Sequence, residues 1–333
     1  MTLGLGIDTS FDDTAVALVR DGKEILANLT VSQFAEHAEF GGVIPERASR
    51  LHVETIFPLL EAVCRDADVA LSDVDFIAAT HRPGLIGSLL VGVTVGKALA
   101  MALDRPLVGI NHLEAHVHAA LMAEEDLAYP FLALLISGAN TLLLDCPNFD
   151  VYLRVGATKD DAVGECIDKC GRHLGLAMPA GPALEKLALT GNPKSRRFPR
   201  PLKGSPDGDF SFSGLKTAVL YALRDDPDLV AKDVAAALLA AIADVLVTKT
   251  LRMAGRLGRD TVVLCGGAAA NLQIRRAFDE ESEKHGVRVV YPGLALCTDN
   301  AAMVAGLGHE KFRRGQLSGL DLAVEAQALF PPL

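Results

Sequence analysis

The chain has 333 residues, half of them hydrophobic, enough for two lobes that each bury a core of their own. Its 32 Lys and Arg stand against 42 Asp and Glu, a net charge of −10, which excludes binding nucleic acid over the whole surface but leaves room for a local basic patch. Aromatics are scarce and Trp is absent, so the cores must be built from Ala, Leu and Val.

Leu3 to Thr9 alternates as a strand, Phe11-Asp12-Asp13-Thr14 makes a polar turn, and Ala15 to Val19 returns as a second strand. Such a turn suits a phosphate or a small anhydride, held by turn amides and hydroxyls. Ile25 to Val31 is a third strand, and Phe40 to Pro45 a loop that opens a helix from Glu46 to Cys64, with Pro45 at its start. Asp75 to Thr80 is a strand, and Ser88 to Leu103 a helix rich in Gly, Ala and Leu. A domain break falls near Leu107 on this reading. The theme then repeats: strand Phe131 to Ile136, turn Ser137 to Thr141, strand Leu142 to Cys146. Helices follow from Asp160 to Leu174, after Met178-Pro179-Ala180-Gly181-Pro182 with Glu185 in the first turn, and from Leu229 to Leu257. Thr261 to Cys265 is a buried strand running into Gly266-Gly267, a junction where a ligand can approach the backbone at a helix N-terminus. Val287 to Tyr291 is the last strand, and a helix from Ala301 to Arg313 returns to the first lobe.

No apolar run reaches membrane-spanning length without a charge or a Gly/Pro break, and Met1 to Asp8 reads as a strand rather than a signal peptide. The six cysteines form no C-x-x-C pair. Cys166 and Cys170, four apart in a helical pattern, read as small apolar packing residues, and the set fits a reducing cytoplasm with no membrane partner. Lys194, Arg196, Arg197, Arg200 and Lys203 fall within ten residues, and read first as a solvated loop carrying scattered cations.

The densest chemistry lies in Asn111-His112-Leu113-Glu114-Ala115-His116, where a strand runs into an Ala/Leu helix. Residues four apart share a helix face, so His112 and His116 can grip one metal ion. Glu114 lies about 200° around the axis from His112, which removes it from that ion and from the H-E-x-x-H metalloprotease pattern. Asp299, before Asn300 at a strand-to-helix junction, suits a third ligand and leaves coordination sites open for substrate.

Several motifs then agree. Gly6-Ile7-Asp8-Thr9-Ser10, Phe40 to Glu46, Pro83-Gly84-Leu85-Ile86-Gly87, Asn111 to His116, Asp209 to Thr217, Gly266-Gly267 with Asn271, and Thr298-Asp299-Asn300 together resemble the TsaD family from Gly4 to about Gly315. These are the bacterial tRNA N6-adenosine threonylcarbamoyltransferases, formerly described as O-sialoglycoprotein endopeptidases. The resemblance implies an α/β chain of the actin/Hsp70/sugar-kinase fold, with two ribonuclease-H-like lobes and a ligand cleft between them. The lobes would span 1–107 with 302–333, and 108–301, the second carrying the metal ligands. It implies transfer of the threonylcarbamoyl group from threonylcarbamoyl-AMP to N6 of adenosine 37 in tRNAs that read ANN codons. One divalent ion, Fe(II) or Zn(II), would sit on His112, His116 and Asp299. Leu135, Ile136, Ser137, Gly138 and Ala139 match the turn that cradles the adenylate. Asp168 and Glu185 match ribose contacts, Gly181 and Asn271 nucleoside contacts, and Asp12 the acidic residue needed for transfer. The resemblance also implies a TsaB-type paralogue, docked on the first-lobe helices through Val91 and Val95, and a TsaE-type ATPase.

The chain departs from the family pattern in four places. Its first turn reads Asp8-Thr9-Ser10-Phe11-Asp12-Asp13-Thr14, His81-Arg82 precede the Pro-Gly, Ala139 and Ala180 replace glycines, and Asn140 stands where bacterial relatives have His. Asp12 also admits a plainer role, as a turn residue capping its own backbone. A kinase or O-carbamoyltransferase of the same fold, or a nucleotide-binding scaffold without catalysis, are the alternatives that fold alone leaves open.

Overall fold

The computed structural model describes residues 1–333 apart from Glu39, Gly41 and Pro227, so Gly41 of the Phe40 to Pro45 loop lies outside the described residues. The chain divides into two compact units, Met1–Glu125 with Asp299–Leu329, and Asp126–Thr298 with Phe330–Leu333.

The first unit begins with a three-stranded antiparallel meander: β1 (Leu3–Asp8), β2 (Asp13–Arg20) and β3 (Glu24–Ser32). Leu5, Ile7, Val16 and Leu18 lie fully buried in its core, each stabilising the unit by about 1.5–3 kcal/mol. After α1 (Phe34–Ala38), α2 (Pro45–Ala67) starts at Pro45, where a missing backbone N–H goes unmissed, and ends at Asp68 in the left-handed conformation. It lays Ile56, Leu60 and Val63 into the core. β4 (Phe76–Arg82) is apolar and buried from Phe76 to Ala79, as a parallel strand covered on both faces must be. α3 (Ile86–Leu103) leads to β5 (Leu107–Asn111), completing the order β3-β2-β1-β4-β5 with β4 and β5 parallel to β1. α4 (His112–Ala123) follows with no intervening loop. Asn111 caps it, its Oδ1 accepting from Leu113 N at 2.9 Å.

The second unit repeats the plan. β6 (Phe131–Ile136), β7 (Thr141–Asn148) and β8 (Val151–Ala157) form the meander. There follow α5 (Val163–His173), α6 (Gly181–Ala188), α7 (Ser213–Asp225), α8 (Ala231–Leu257), β9 (Thr261–Cys265), α9 (Leu272–His285), β10 (Arg288–Val290) and the short α10 (Leu294–Cys297). The sheet order is β10-β9-β6-β7-β8, with β9 and β10 in the parallel positions that β4 and β5 hold in the first sheet. α3 and α8 are long and apolar enough to cross a bilayer by length and composition alone; 83% of the α8 window is buried within the unit.

α11 (Ala301–Arg313) returns to the first unit, capped by Asn300, whose Oδ1 accepts from Met303 N at 3.0 Å. It presses so closely on β1 that a Cβ on Gly6 would stand 2.2 Å from Ala301 O. The chain end divides. Ser318 N bonds Leu107 O and Glu325 N bonds His81 O in the first unit, while Arg154 N bonds Pro331 O in the second.

Three expectations need correction. The unit boundaries fall at 125/126 and 298/299, not near 107 and 301, because β5 is the edge of the first sheet and α4 packs against α11. The metal residues therefore belong to the first unit, not the second. Val95 is only 8% exposed; the exposed large apolar residues of these helices, among the described residues, are Val53 and Phe57 on α2 and Ile86, Leu90 and Met101 on α3. β8 was not anticipated at all.

Candidate functional site

The last residue of β5 caps α4, so the helix starts at His112 and both histidines fall on its first turn and a half. His112 Nε2 and His116 Nε2 lie 3.2 Å apart. Asp299 Oδ1, two residues before α11, lies 3.4 Å from His112 Nε2 and 3.1 Å from His116 Nε2. Ligand atoms about 2.0–2.1 Å from a tetrahedral ion are about 3.3–3.4 Å from one another, so the spacing is that of a metal site. Two imidazoles and a carboxylate are the donor set of a borderline divalent ion such as zinc or iron(II).

The ring of His112 is oriented by Asp8, at the C-terminal end of β1. Asp8 Oδ2 stands 3.0 Å from His112 Nδ1, and Asp8 Oδ1 accepts from Ser10 N at 3.0 Å. With Nδ1 carrying the proton, Nε2 presents a lone pair to the centre of the triad. Burial works against a charged His112, but Asp8 and Asp299 outweigh it and raise its pKa well above the ordinary value. Burial lowers that of His116, against the opposing pull of Asp299. Burial also opposes the Asp299 charge, yet His112 and His116 hold its carboxyl far below the usual carboxylate range.

The first turn adds more negative charge. Burial, and then Asp299, raise the pKa of Asp12. Asp13 is pushed up to about 7, first by burial and then by Asp299, Asp12 and Asp8 against a lowering hydrogen bond from Ser32. Its Oδ1 is buried without a hydrogen-bond partner among the described residues. Crowded carboxylates with an orphaned buried oxygen are what a cation would relieve, so the residues fit the ion. The turn itself is pinned by His52 of α2: its Nε2 donates to Phe11 O at 3.0 Å, and its Nδ1 accepts from the Thr14 hydroxyl at 2.8 Å.

In the second unit, the turn after β6 is closed by Ser137 N donating to Asn140 O at 2.8 Å and Asn140 N donating to Ser137 Oγ at 3.1 Å. Ser137 O accepts from Gly164 N, so the turn abuts the start of α5. Leu135 and Ile136 are fully buried strand residues, so only their backbone is available to a ligand. Gly266 has φ +91°, and a Cβ there would stand 2.5 Å from Ile136 O, which ties the Gly-Gly junction to the same strand end. Asp168 on α5 accepts from the amides of Ala180 and Gly181 at the start of α6. Glu185 lies in the second turn of α6, not the first, and its Oε1 accepts from Leu272 N at 2.7 Å. Asn271 caps α9 through Gln273 N and Ile274 N. Asp168 thus holds the start of α6 at Ala180 and Gly181, and Glu185 on the same helix holds the start of α9 beside Asn271.

The family model for TsaD, tRNA N6-adenosine threonylcarbamoyltransferase, matches residues 24–306. The chain belongs to the TsaD family. It is 46% identical to the tRNA N6-adenosine threonylcarbamoyltransferase of Thermotoga neapolitana, over 93% of this chain and 94% of that one. It is likewise 46% identical to the enzyme of that name from Brucella anthropi, over 96% and 92%. Among solved structures, component A of the Acidaminococcus fermentans (R)-2-hydroxyglutaryl-CoA dehydratase superposes with a TM-score of 0.58 at 17% identity, covering 93% of this chain and 99% of that one. At that identity it shows the fold alone, and it agrees with the actin/Hsp70/sugar-kinase architecture.

Two of the four departures of this TsaD chain have local explanations. His81 Nδ1 donates to Ala323 O at 3.0 Å and Arg82 pairs with Glu325 at 3.4 Å, so the two bulky residues clasp the C-terminal segment. Ala139 has no positive φ and needs no glycine. The Ala180 methyl fits because it faces Gly171, where a Cβ would stand 2.3 Å from it. Asp8 is the functional residue that sequence reasoning passed over. Its burial, 1% exposed at the end of an otherwise apolar strand, shows only in the folded structure.

Proposed function

We propose that this chain makes N6-threonylcarbamoyladenosine at adenosine 37 of tRNAs that read ANN codons, with threonylcarbamoyl-AMP as donor and AMP as leaving group. Membership in the TsaD family carries the reaction class. The observation that carries the chemistry is the triad of His112, His116 and Asp299, braced by Asp8.

The donor is a mixed anhydride and AMP leaves readily, but the adenine amine is a poor nucleophile. The N6 nitrogen attacks the carbamoyl carbon, a C–N bond forms, the C–O bond to phosphate breaks, and AMP departs with the electron pair. N6 gives up one proton. Asp12 accepts or steers it: the pKa of this carboxylate, raised by burial and by Asp299, suits a group that takes up a proton and passes it on. His112, His116 and Asp299 would hold one Fe(II) or Zn(II), which when bound supplies Lewis-acid stabilisation of developing negative charge. Asp8 keeps His112 in the tautomer that leaves Nε2 free. In the second unit, the backbone of Ser137, Gly138 and Ala139 receives the adenylate phosphate. A carboxylate has about four acceptor sites, so Asp168 and Glu185 can bind ribose hydroxyls while keeping their backbone partners.

A TsaB-type partner on Val53, Phe57 and Leu90, a TsaE-type ATPase and a cytoplasmic location complete the reading. The test is mass spectrometry of tRNA nucleosides after incubation with threonylcarbamoyl-AMP, with and without those partners. The wild-type protein yields the modified nucleoside, and His116→Ala loses both bound metal and product. Full metal occupancy in His116→Ala would refute the triad.

A further inference from the structure

The basic stretch noted in the sequence takes no part in the chemistry above, and its form in the structure is specific. From Pro193 to Lys203 the chain carries five cations and no carboxylate, in a protein with a net charge of −10. Those five side chains, Lys194, Arg196, Arg197, Arg200 and Lys203, line a hollow of about 430 Å³ together with Asp244 of α8. Five cations against one carboxylate make the hollow strongly electropositive.

The segment is held fast. Phe198 is 2% exposed and belongs to the core of the second unit. Asn192 N donates to Asp233 Oδ1 at 2.8 Å and Ser195 Oγ to Asp233 O at 3.3 Å. Asp244 accepts from Arg200 Nε at 3.2 Å and from Lys203 Nζ at 2.5 Å. The fully buried Lys249 donates to Leu202 O at 2.9 Å and to Ser205 Oγ at 2.7 Å. Lys194, Arg196 and Arg197 enter no ion pair within 4 Å among the described residues. Their charge is available on a backbone already ordered, which reduces the entropy cost of binding. The hollow adjoins a groove of about 950 Å³ along α8 and α9, where Arg252 and Arg276 are offset by Glu280 and Glu281, so the excess of positive charge is confined to the hollow.

We propose that the Pro193–Lys203 hollow is the surface on which this chain receives the phosphate backbone of its tRNA. This rests on the reading that tRNA is the substrate. The chemistry is that of backbone recognition: the cations span a segment and not a point, and the only aromatic side chain of the segment, Phe198, is turned into the core, so no base can stack on it. A membrane surface would need apolar side chains to insert, and among the residues of the segment only Leu202 offers one, at 39% exposure.

The test compares the wild-type full chain with a Lys194→Ala, Arg196→Ala, Arg197→Ala triple variant. Binding of an unmodified, in-vitro transcribed ANN-decoding tRNA is followed by fluorescence anisotropy across roughly 50–200 mM salt. The triple variant should bind at least about tenfold more weakly at low salt, and the slope of log Kd against log salt should fall by about two, since each lost phosphate contact removes about 0.7–0.9. Arg196→Lys with Arg197→Lys should keep both affinity and slope. Metal content, AMP binding and melting temperature should not change, because among the described residues no hydrogen bond of the fold uses these side chains. Wild-type affinity and slope in the triple variant overturn the proposal, even where the wild type makes the modified nucleoside. Loss of RNA binding in the triple variant of a protein that makes no modified nucleoside upholds the surface and refutes the function. Tighter binding of the wild type to phosphatidylserine vesicles than to tRNA also overturns the proposal.

Discussion

Replacing Asp8 by Asn tests the metal reading at the residue that touches no ion. Asp8 is 1% exposed, with Oδ2 3.0 Å from His112 Nδ1 and Oδ1 3.0 Å from Ser10 N. Both neighbours are donors, so a carboxylate satisfies both. A carboxamide has one acceptor and one donor end, and whichever way it turns, its NH2 faces an N–H. If it faces His112, the cheapest relief is the other tautomer, with the proton on Nε2, in the space the ion needs. A hydrogen bond to a charged group contributes about 1.5–3 kcal/mol. Lost from the metal-bound state, this corresponds to a fall in metal affinity of about 10- to 150-fold, in line with the 10- to 100-fold typical of partners behind a metal ligand. The assay is competition with a chelator of known affinity for Zn(II) or Co(II), alongside circular dichroism to show that the fold persists. An affinity within twofold of wild type would mean that Asp8 neither orients His112 nor sets its tautomer.

Asp12→Asn keeps shape but removes charge, so transfer should fall by at least about 100-fold, the lower end of general acid–base contributions, while AMP binding stays within about twofold; single-turnover kinetics and calorimetry separate the two, and unchanged turnover leaves Asp12 a turn residue. Asp13 gives a pH signature in chelator-treated protein. Its folded pKa is raised from 3.8 to about 7, so the stability it contributes is full below about pH 4 and lost as pH rises through 7. Asp13→Asn stays neutral throughout, so its melting temperature should match wild type near pH 4 and exceed it by several degrees at pH 8, given about 2–4 °C per kcal/mol for a unit of this size; a gap that does not vary with pH refutes the origin assigned to the shift. Ala139→Gly should leave AMP affinity within about twofold, because Ala139 has no positive φ to relieve; calorimetry showing a tenfold gain would contradict that geometry.

What could be read in the sequence was what local patterns fix. The i, i+4 histidines and the Asn111 cap specify a helix start and a shared face within a few residues, and the structure has both. Asp299 carried a local sign too, an acidic residue beside the Asn that caps the next helix. Asp8 had no such sign, because its role depends on contact with a residue 104 positions away, made only when β1 and α4 fold together. The domain boundary was set two elements early, before β5 and α4, for the same reason: whether α4 stays with the first sheet is decided by its packing on α11, nearly two hundred residues later. β8 escaped because its turn uses Asp150 at φ 64° where a glycine would have announced it. The basic stretch was plain as composition, but only the buried Phe198 and the Asp244 bridge show it as a fixed concave surface.

The separation of His116 from Asp299 by 183 residues also bears on how the protein is made. During synthesis, the first 125 residues leave the ribosome with two of three ligands and without α11, the helix that covers β1, β2 and β4. At about 5–20 residues per second, the whole second unit must be translated, roughly 10–40 s, before the third ligand arrives. For that interval the apolar face that later receives α11 is bare, and any ion held by the two histidines lacks the carboxylate that neutralises part of its charge. Loading of an ion on the proposed triad would therefore wait for completion of the chain, and a ribosome stalled inside the second unit would leave a nascent first unit exposed to chaperones and proteases.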